Sequence, residues 1–227
     1  MKIKTAIILC AGYGKRLLPL TNNIPKPLLK VKNKNLLDNT LKFIKSIGIN
    51  NIKINTFYLS DQIKSFVEQR CYPLNIDIIN DGEKILDTGG GIYNLIKDDK
   101  EENFLTFNPD TLWNSKYIEI VENMQKYYFK NKIKNLLMVL KKNRSFDTRF
   151  KGDFTLKNYK LSKDINNDFI YTGCQIINKK IFNNTNKKIF SMTEIWNQLL
   201  SEKELYGFES SNKFLHITDI EIFKKLS

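Results

Sequence analysis

The chain has 227 residues, enough for one well-buried core and too few for two comfortable domains. An apolar share of 41%, with 15 Phe and 10 Tyr, excludes a largely disordered chain, and no apolar run is long enough to span a bilayer. The formal net charge of +13 invites polyanion binding, but the lysines are dispersed and no basic motif interleaved with aromatics occurs, so a small anionic ligand suits the charge better than nucleic acid.

In chain order, residues 4–10 read as a buried strand running straight into a glycine-rich turn. Lys2 and Lys4 precede this run as in a secretory leader, but Gly12, Gly14, Lys15 and Arg16 interrupt it at once, so a first strand and a cytoplasmic protein are expected. Leu37, Leu41, Ile44 and Ile47 lie on one face of a helix over 36–47, with Gly48 placed to end it. A strand at 51–56, a helix near 60–70 and a strand at 75–80 follow, then a short helix opened by Asp87-Thr88-Gly89-Gly90-Gly91 and a strand at 103–108. The second half predicts a helix around 116–129, a strand at 133–140, hairpin-like strands near 153–162 and 168–178, and a helix near 192–202. A last strand and helix are expected from 213 onward. This alternation predicts an α/β fold, Rossmann-like, with a mixed, mostly parallel sheet flanked by helices, and nothing marks a boundary within a single domain over 1–227.

Cys10, Cys71 and Cys174 are odd in number and widely spaced, which suggests neither a disulfide framework nor a zinc site. His216 is the single histidine, so Ser-His and Cys-His mechanisms have one base at most and no triad spacing to support it.

The densest chemistry lies in Leu9-Cys10-Ala11-Gly12-Tyr13-Gly14-Lys15-Arg16, followed by Pro19, Thr21 and Pro25-Lys26-Pro27-Leu28. Glycines after a first strand let backbone N–H groups approach a polyphosphate, and Arg16 and Lys26 add charge. A Walker A loop is excluded by Arg16 and Leu9, and a dinucleotide fingerprint by Leu17. For Gly12 and Gly14 alone an ordinary tight turn would serve as well. Asp110 follows a strand of Phe104, Leu105 and Phe107, at the carboxyl edge where open α/β sheets bind ligands, and Mg²⁺ prefers carboxylates together with nucleotide phosphates.

Gly-x-Gly-x-Arg with Pro-Lys-Pro about ten residues on resembles the signature of the sugar-phosphate nucleotidylyltransferases. The resemblance implies that Gly14, Lys15, Arg16 and Lys26 hold the triphosphate, with Arg16 and Lys26 catalytic. It implies that Ala11, Gly12, Tyr13, Asp87, Gly89 and Asn108 also bind the nucleotide, Gly89 at a helix start beside the base. Asn108-Pro109-Asp110 resembles the family's Asn-Gly-Asp, which gives Asp110 the Mg²⁺. Gly152-Asp153-Phe154 and Tyr171-Thr172-Gly173 resemble its sugar-side segments, implying sugar contacts at Gly152, Thr172 and Gly173, while Lys163 reads as a surface lysine.

Leu215-His216-Ile217-Thr218-Asp219 stands where relatives carry a second metal-binding Asp, so His216 falls on the metal position. A neutral imidazole suits Zn²⁺ or Mn²⁺ better than Mg²⁺, and a histidine lining the pocket by a hydrogen bond is the other reading. Asp219 reads as the N-cap of the last helix.

The implied reaction is in-line attack by a sugar 1-phosphate on the α-phosphorus of a nucleoside triphosphate, releasing pyrophosphate, with no general base required. Resemblance to the short single-domain members implies UTP first and GTP next, with N-acetylmuramate 1-phosphate or a hexose 1-phosphate as acceptor, and neither nucleic acid nor membrane as partner. Pro109 and His216 keep a non-catalytic nucleotide or nucleotide-sugar binding protein open as the other reading.

Overall fold

In the computed structural model, which describes residues 2–227, β1 (Thr5–Leu9) is buried along almost its whole length. A continuous run of Ala6, Ile7 and Ile8 suits a strand covered on both faces. The loop after it leads to a two-residue hairpin, β2 (Lys30–Val31) and β3 (Lys34–Asn35), turned by Lys32 and Asn33 at positive φ. Then come α1 (Leu36–Ser46), β4 (Asn51–Thr56), α2 (Ser60–Gln69), β5 (Asn75–Asn80), α3 (Asp87–Ile96) and β6 (Asn103–Phe107). Each lies where the periodicity predicts it.

The second half holds α4 (Ile118–Lys130), β7 (Asn135–Lys141), β8 (Thr155–Lys157), β9 (Lys160–Ser162), β10 (Phe169–Asn178), α5 (Met192–Ser201), β11 (Tyr206–Glu209) and α6 (Ile220–Leu226). Ser191 and Glu194 form a reciprocal capping box at the start of α5. Among the described residues no helix is long and apolar enough to cross a membrane.

Nine strands make one mixed sheet in the order β5-β4-β1-β6-β10-β7-β11-β9-β8. β5, β4, β1 and β6 run parallel, β10 is antiparallel to both β6 and β7, and β11 is parallel to β7. From β1 the chain winds outward through β4 to β5, then returns to place β6 on the other flank of β1. The crevice between β1 and β6 is therefore a topological switch point, the position at which open α/β sheets bind ligands. The register Ile8↔Phe107 sets the glycine turn beside Asn108-Pro109-Asp110.

Apolar layers cover both faces of the sheet. One gathers Ile8, Leu41, Phe43, Phe107, Trp113 and Tyr117, and the other Ile7, Ile92, Phe104, Phe190 and Ile195. Phe43 stacks on Trp113 at 5.6 Å between centroids, and Phe107 meets the same indole edge-on at 5.3 Å.

The expected last strand is corrected. From 213 onward the structure makes only isolated bridges, Ser145↔Phe214 and Thr111↔His216, before α6. The extended segment is β11, whose four residues Tyr-Gly-Phe-Glu are too short and too glycine-broken to show an alternating pattern. The hairpin is also relocated. β8 and β9 pair with each other, while β10 inserts between β6 and β7 and meets the segment before β8 at the bridge Phe154↔Phe169 and through Tyr171 N–H, which donates to Asp153 Oδ2 at 2.9 Å.

Phe107 is fully buried between Phe43 and Trp113 at the end of β6. Phe107→Ala is expected to lower unfolding free energy by about 3–5 kcal/mol in urea titrations with an unchanged m-value. A loss under about 1 kcal/mol would remove Phe107 from the centre of the core.

Candidate active site

A cleft of about 390 Å³ opens over the carboxyl ends of β1 and β6. Gly14 supports one wall. Its φ of +66° is left-handed, and a Cβ there would stand 2.9 Å from Thr21 Cγ2 and 3.2 Å from Lys26 Cβ. Its carbonyl accepts Leu17 N–H at 2.8 Å and the Thr21 hydroxyl at 3.0 Å, which presses the turn onto the stem of Lys26. Gly12 lies open to the cleft, with no atom within 4 Å of where a Cβ would stand. Ala11, Lys15 and Arg16 also line the cleft. Tyr13 stands beside it, packed on Phe57 and Tyr58 with the Lys15 ammonium 5.4 Å from its ring centroid.

Pro25 and Pro27 bracket Lys26 and restrict its backbone. Its Nζ donates to Asp110 Oδ2 at 2.5 Å, and the two side chains are 15% and 16% exposed, so water screens the pair only partly. Asp110 is fixed from several sides. Asn108 N–H donates to the Gly173 carbonyl at 2.8 Å, Trp113 Nε1 donates to the Asn108 carbonyl at 3.1 Å, and Ile217 N–H donates to the Asp110 carbonyl at 2.8 Å. Asp110 Oδ2 also faces His216 Nε2 at 3.3 Å, whereas Oδ1 is buried without a partner. Burial pushes the Asp110 carboxyl upward, but the Lys26 ammonium and the His216 ring outweigh it and hold the group well below the usual carboxylate range. Burial, with the Asp110 charge added, pushes the nearby Cys10 thiol up and keeps it neutral.

His216 stacks on Phe214 at 5.4 Å, meets Phe150 edge-on at 6.0 Å, and holds Nδ1 3.1 Å from Thr218 Oγ1. Asp219 caps α6 by accepting Glu221 and Ile222 N–H at 3.0 Å, the role the sequence assigns it. A second cavity of about 430 Å³ lies on the other side of His216, lined by Phe150, Gly152, Asp153, Lys163, Tyr171 and Trp196 among others. The two cavities thus meet at Asp110 and His216.

Four assigned residues line neither cavity: Tyr13, which stands beside the cleft, and three that are buried. Thr172 is buried, its hydroxyl donating to the Met138 carbonyl at 3.0 Å while its own carbonyl accepts the Thr111 hydroxyl at 2.8 Å. Gly173, at φ +87°, sits so close beneath Asn108 that a Cβ would come within 2.8 Å of Asn108 Cβ. Gly89 is buried, and its N–H, with that of Gly90, donates to the Phe190 carbonyl at 3.0 Å. The glycines of α3 therefore admit the 188–190 segment, and Gly91 admits Asn55. Asp87 and Asn108 do line the cleft, Asp87 at φ +61° with Oδ1 accepting Thr88 N–H.

Sequence reasoning missed Asn55. Its Oδ1 accepts Cys10 N–H at 3.0 Å and its Nδ2 donates to Asp81 at 3.2 Å, while Asp81 Oδ2 accepts Leu86 N–H at 3.2 Å. This network ties the ends of β1 and β4 to the start of α3. The available signal was slight, since β4 reads Asn-Ile-Lys-Ile-Asn-Thr and Asn55 is one of its two amides. Also missed was Asp147, buried and held by Arg149 at 2.8 Å, with Arg149 reaching Asp219 at 2.7 Å.

The sequence profile of the family described as Nucleotidyl transferase matches residues 5–147. The chain is 27% identical to the D-glycero-alpha-D-manno-heptose 1-phosphate guanylyltransferase of Aneurinibacillus thermoaerophilus, over 97% of this chain and 95% of that one. It is 25% identical to the N-acetylmuramate alpha-1-phosphate uridylyltransferase of Caulobacter vibrioides, over 95% and 92% of the two chains. The solved HddC of Yersinia pseudotuberculosis, complexed with GMP-PN, superposes with a TM-score of 0.77 at 21% identity over 99% of this chain and 98% of that one, a likeness of fold.

The Arg149 guanidinium holds the Asp147 carboxyl down at about 2, below the ordinary carboxylate value. A carboxyl lowered on folding stabilises the protein above its unfolded pKa and loses that contribution as pH falls through the folded one. Asp147→Asn is therefore expected to lower the melting temperature at neutral pH, with the gap to the wild type closing as pH falls from about 4 towards 2. A gap that is constant across that range would contradict the pairing.

Proposed function

The chain belongs to the nucleotidyl transferase family, and on that premise we propose that its two cavities join a nucleoside triphosphate to a sugar 1-phosphate and release pyrophosphate. The observation that carries the reading is the Lys26–Asp110 pair, which stands where the glycine-turn cleft meets the second cavity. The first cavity takes the nucleotide, with open backbone at Gly12 and the charges of Lys15, Arg16 and Lys26 around the phosphates. The second takes the sugar, with Trp196, Phe150 and Tyr171 as apolar walls and Gly152, Asp153 and Lys163 as polar contacts. Thr172 and Gly173 act on the sugar site only indirectly, by bracing the end of β6.

An oxygen of the sugar phosphate attacks the α-phosphorus as the bond to the β-phosphate oxygen breaks and pyrophosphate departs. The nucleophile is already ionised at neutral pH, so no residue need remove a proton. The work of the site is to hold two mutually repelling anions in line. Lys26 and Arg16 neutralise the charge that builds on the phosphates.

Asp110 and His216 fit a divalent cation. One buried carboxylate oxygen lacks a partner, and an imidazole nitrogen faces the other oxygen at 3.3 Å, a donor set that phosphate oxygens would complete. Mg²⁺ held there would supply further positive charge to the phosphates. UTP leads as the nucleotide and GTP follows, and relatives of both kinds are among those above. For the acceptor we propose N-acetylmuramate 1-phosphate or a hexose 1-phosphate.

A matrix of nucleoside triphosphates against sugar 1-phosphates, read by pyrophosphate release with and without Mg²⁺, tests this directly. Turnover with one pair is expected. Tight nucleotide binding without pyrophosphate from any pair would favour a non-catalytic binding protein. With the best pair, Lys26→Ala is expected to lower kcat by about 100- to 1000-fold, near 3 kcal/mol of transition-state stabilisation, with an unchanged circular dichroism spectrum. Near wild-type kcat in that variant would remove Lys26 from the chemistry.

A further inference from the structure

We propose that the corner between β4 and α2 is the positioning element of the nucleotide cleft. The Tyr58 hydroxyl, with Gln62 beside it, holds residues 21–23 from outside and so fixes the glycine turn and the stem of Lys26 before a triphosphate arrives. The inference rests on the reading of the first cavity as the triphosphate site.

Residues 12–24 hold little of their own shape. They contain no strand, only one-turn 3₁₀ helices at Lys15–Leu17 and Leu20–Asn22. Their backbone bonds are local, from Leu17 N–H to the Gly14 carbonyl, Leu18 N–H to Lys15 and Asn22 N–H to Pro19. Such a stretch is ordered only against its conformational entropy. Among the described residues, the hydrogen bonds that reach it from elsewhere in the chain come from the corner. Tyr58 Oη shares its one proton between the carbonyls of Thr21 and Asn22, each at 2.8 Å, and Gln62 Nε2 donates to the Asn23 carbonyl at 2.9 Å. Packing adds Leu17, which joins the buried cluster of Ile217 and Ile222.

The corner itself is firmly set. Leu59 sits at φ +49°, a left-handed conformation that a leucine adopts only when its surroundings impose it. The Thr56 and Ser60 hydroxyls bond across the turn at 2.9 Å, and Gln62 N–H donates to the Leu59 carbonyl at 3.1 Å. The Tyr58 ring packs on that of Tyr13, with 5.4 Å between centroids. From Thr21 the constraint passes inward. The Thr21 hydroxyl donates to the Gly14 carbonyl at 3.0 Å, and Gly14 lies so near Lys26 that a Cβ there would come within 3.2 Å of Lys26 Cβ. Tyr58 lines neither cavity, so it is a positioning residue, acting on the phosphates through the loop. A loop ordered in advance binds without the ordering loss that a free one meets on association.

Tyr58→Phe removes one oxygen and leaves the ring in place. Without acceptor, the Kd for UTP or GTP, measured by calorimetry, is expected to rise about 5- to 10-fold, the worth of one hydrogen bond, and binding of inorganic pyrophosphate should weaken alike. Deuterium exchange over residues 12–24 should quicken while β1 and α1 keep their protection, and saturating nucleotide should restore it. In turnover, the KM for the nucleotide should rise while the KM for the sugar 1-phosphate keeps its wild-type value. Gln62→Ala alters an exposed side chain and leaves the core alone, and it should move the nucleotide constants the same way by about 2- to 5-fold. An unchanged nucleotide Kd in Tyr58→Phe would overturn the inference. So would a rise in both substrate constants together, which is how a generally loosened fold behaves. Failure of the wild-type protein to bind any nucleoside triphosphate would instead overturn the reading of the first cavity on which the inference rests.

Discussion

An ammonium and a carboxylate 2.5 Å apart, 84 residues distant in the chain and mostly shielded from water, form the contact around which the rest of this molecule is arranged. Removing two such charges from water costs much of what their attraction returns, so the pair is a poor device for stability. It is a good device for holding charge of both signs at one point. The fold supplies that point. Parallel pairing of β1 with β6 at the reversal of strand order brings the loop carrying Lys26 and the residues after Phe107 to the same end of the sheet. Neither half of the contact could be placed by local structure alone.

Much of the remaining polar structure keeps these groups still. Gly14 backs onto the Lys26 stem, and Trp113 reaches out of the core to hold the Asn108 carbonyl. Gly173 lets Asn108 lie against β10, while Thr111 ties the same corner to Thr172. Asn55 and Asp81 fix the start of the glycine turn from the opposite flank. Arg149 ties Asp147 to Asp219 at the start of α6, and Thr218, next to Asp219 in the chain, faces the His216 ring. A site that works by electrostatic preorganisation needs this kind of support, because its charges must already be in place when the phosphates arrive.

The first half of the fold was legible because parallel strands buried on both faces leave unbroken apolar runs, and the helices between them leave periodic ones. The cleft was legible as a place because Gly12, Gly14, Lys15, Arg16 and Lys26 fall in a tight spacing after the first strand, and the structure gathers them around one opening. The second half was harder to read. β11 carries a glycine in four residues, and β10 owes its place to pairings with β6 and β7 that no local pattern encodes. Gly89 shows the limit of motif reading. A glycine run at a helix start suggests an exposed backbone, yet these residues admit Phe190 and Lys188. Asn55 and Asp147 stayed hidden because a single buried polar residue gives no sequence sign of the partner it will meet.

The central claim is that Lys26 and Asp110 act on the phosphates as one unit. A double-mutant cycle on kcat/KM for pyrophosphate release, comparing Lys26→Ala, Asp110→Asn and the pair together, tests it most directly. The account predicts that the double variant loses little more activity than the worse single variant, as residues that work together do. Losses that multiply would show two independent groups and contradict it.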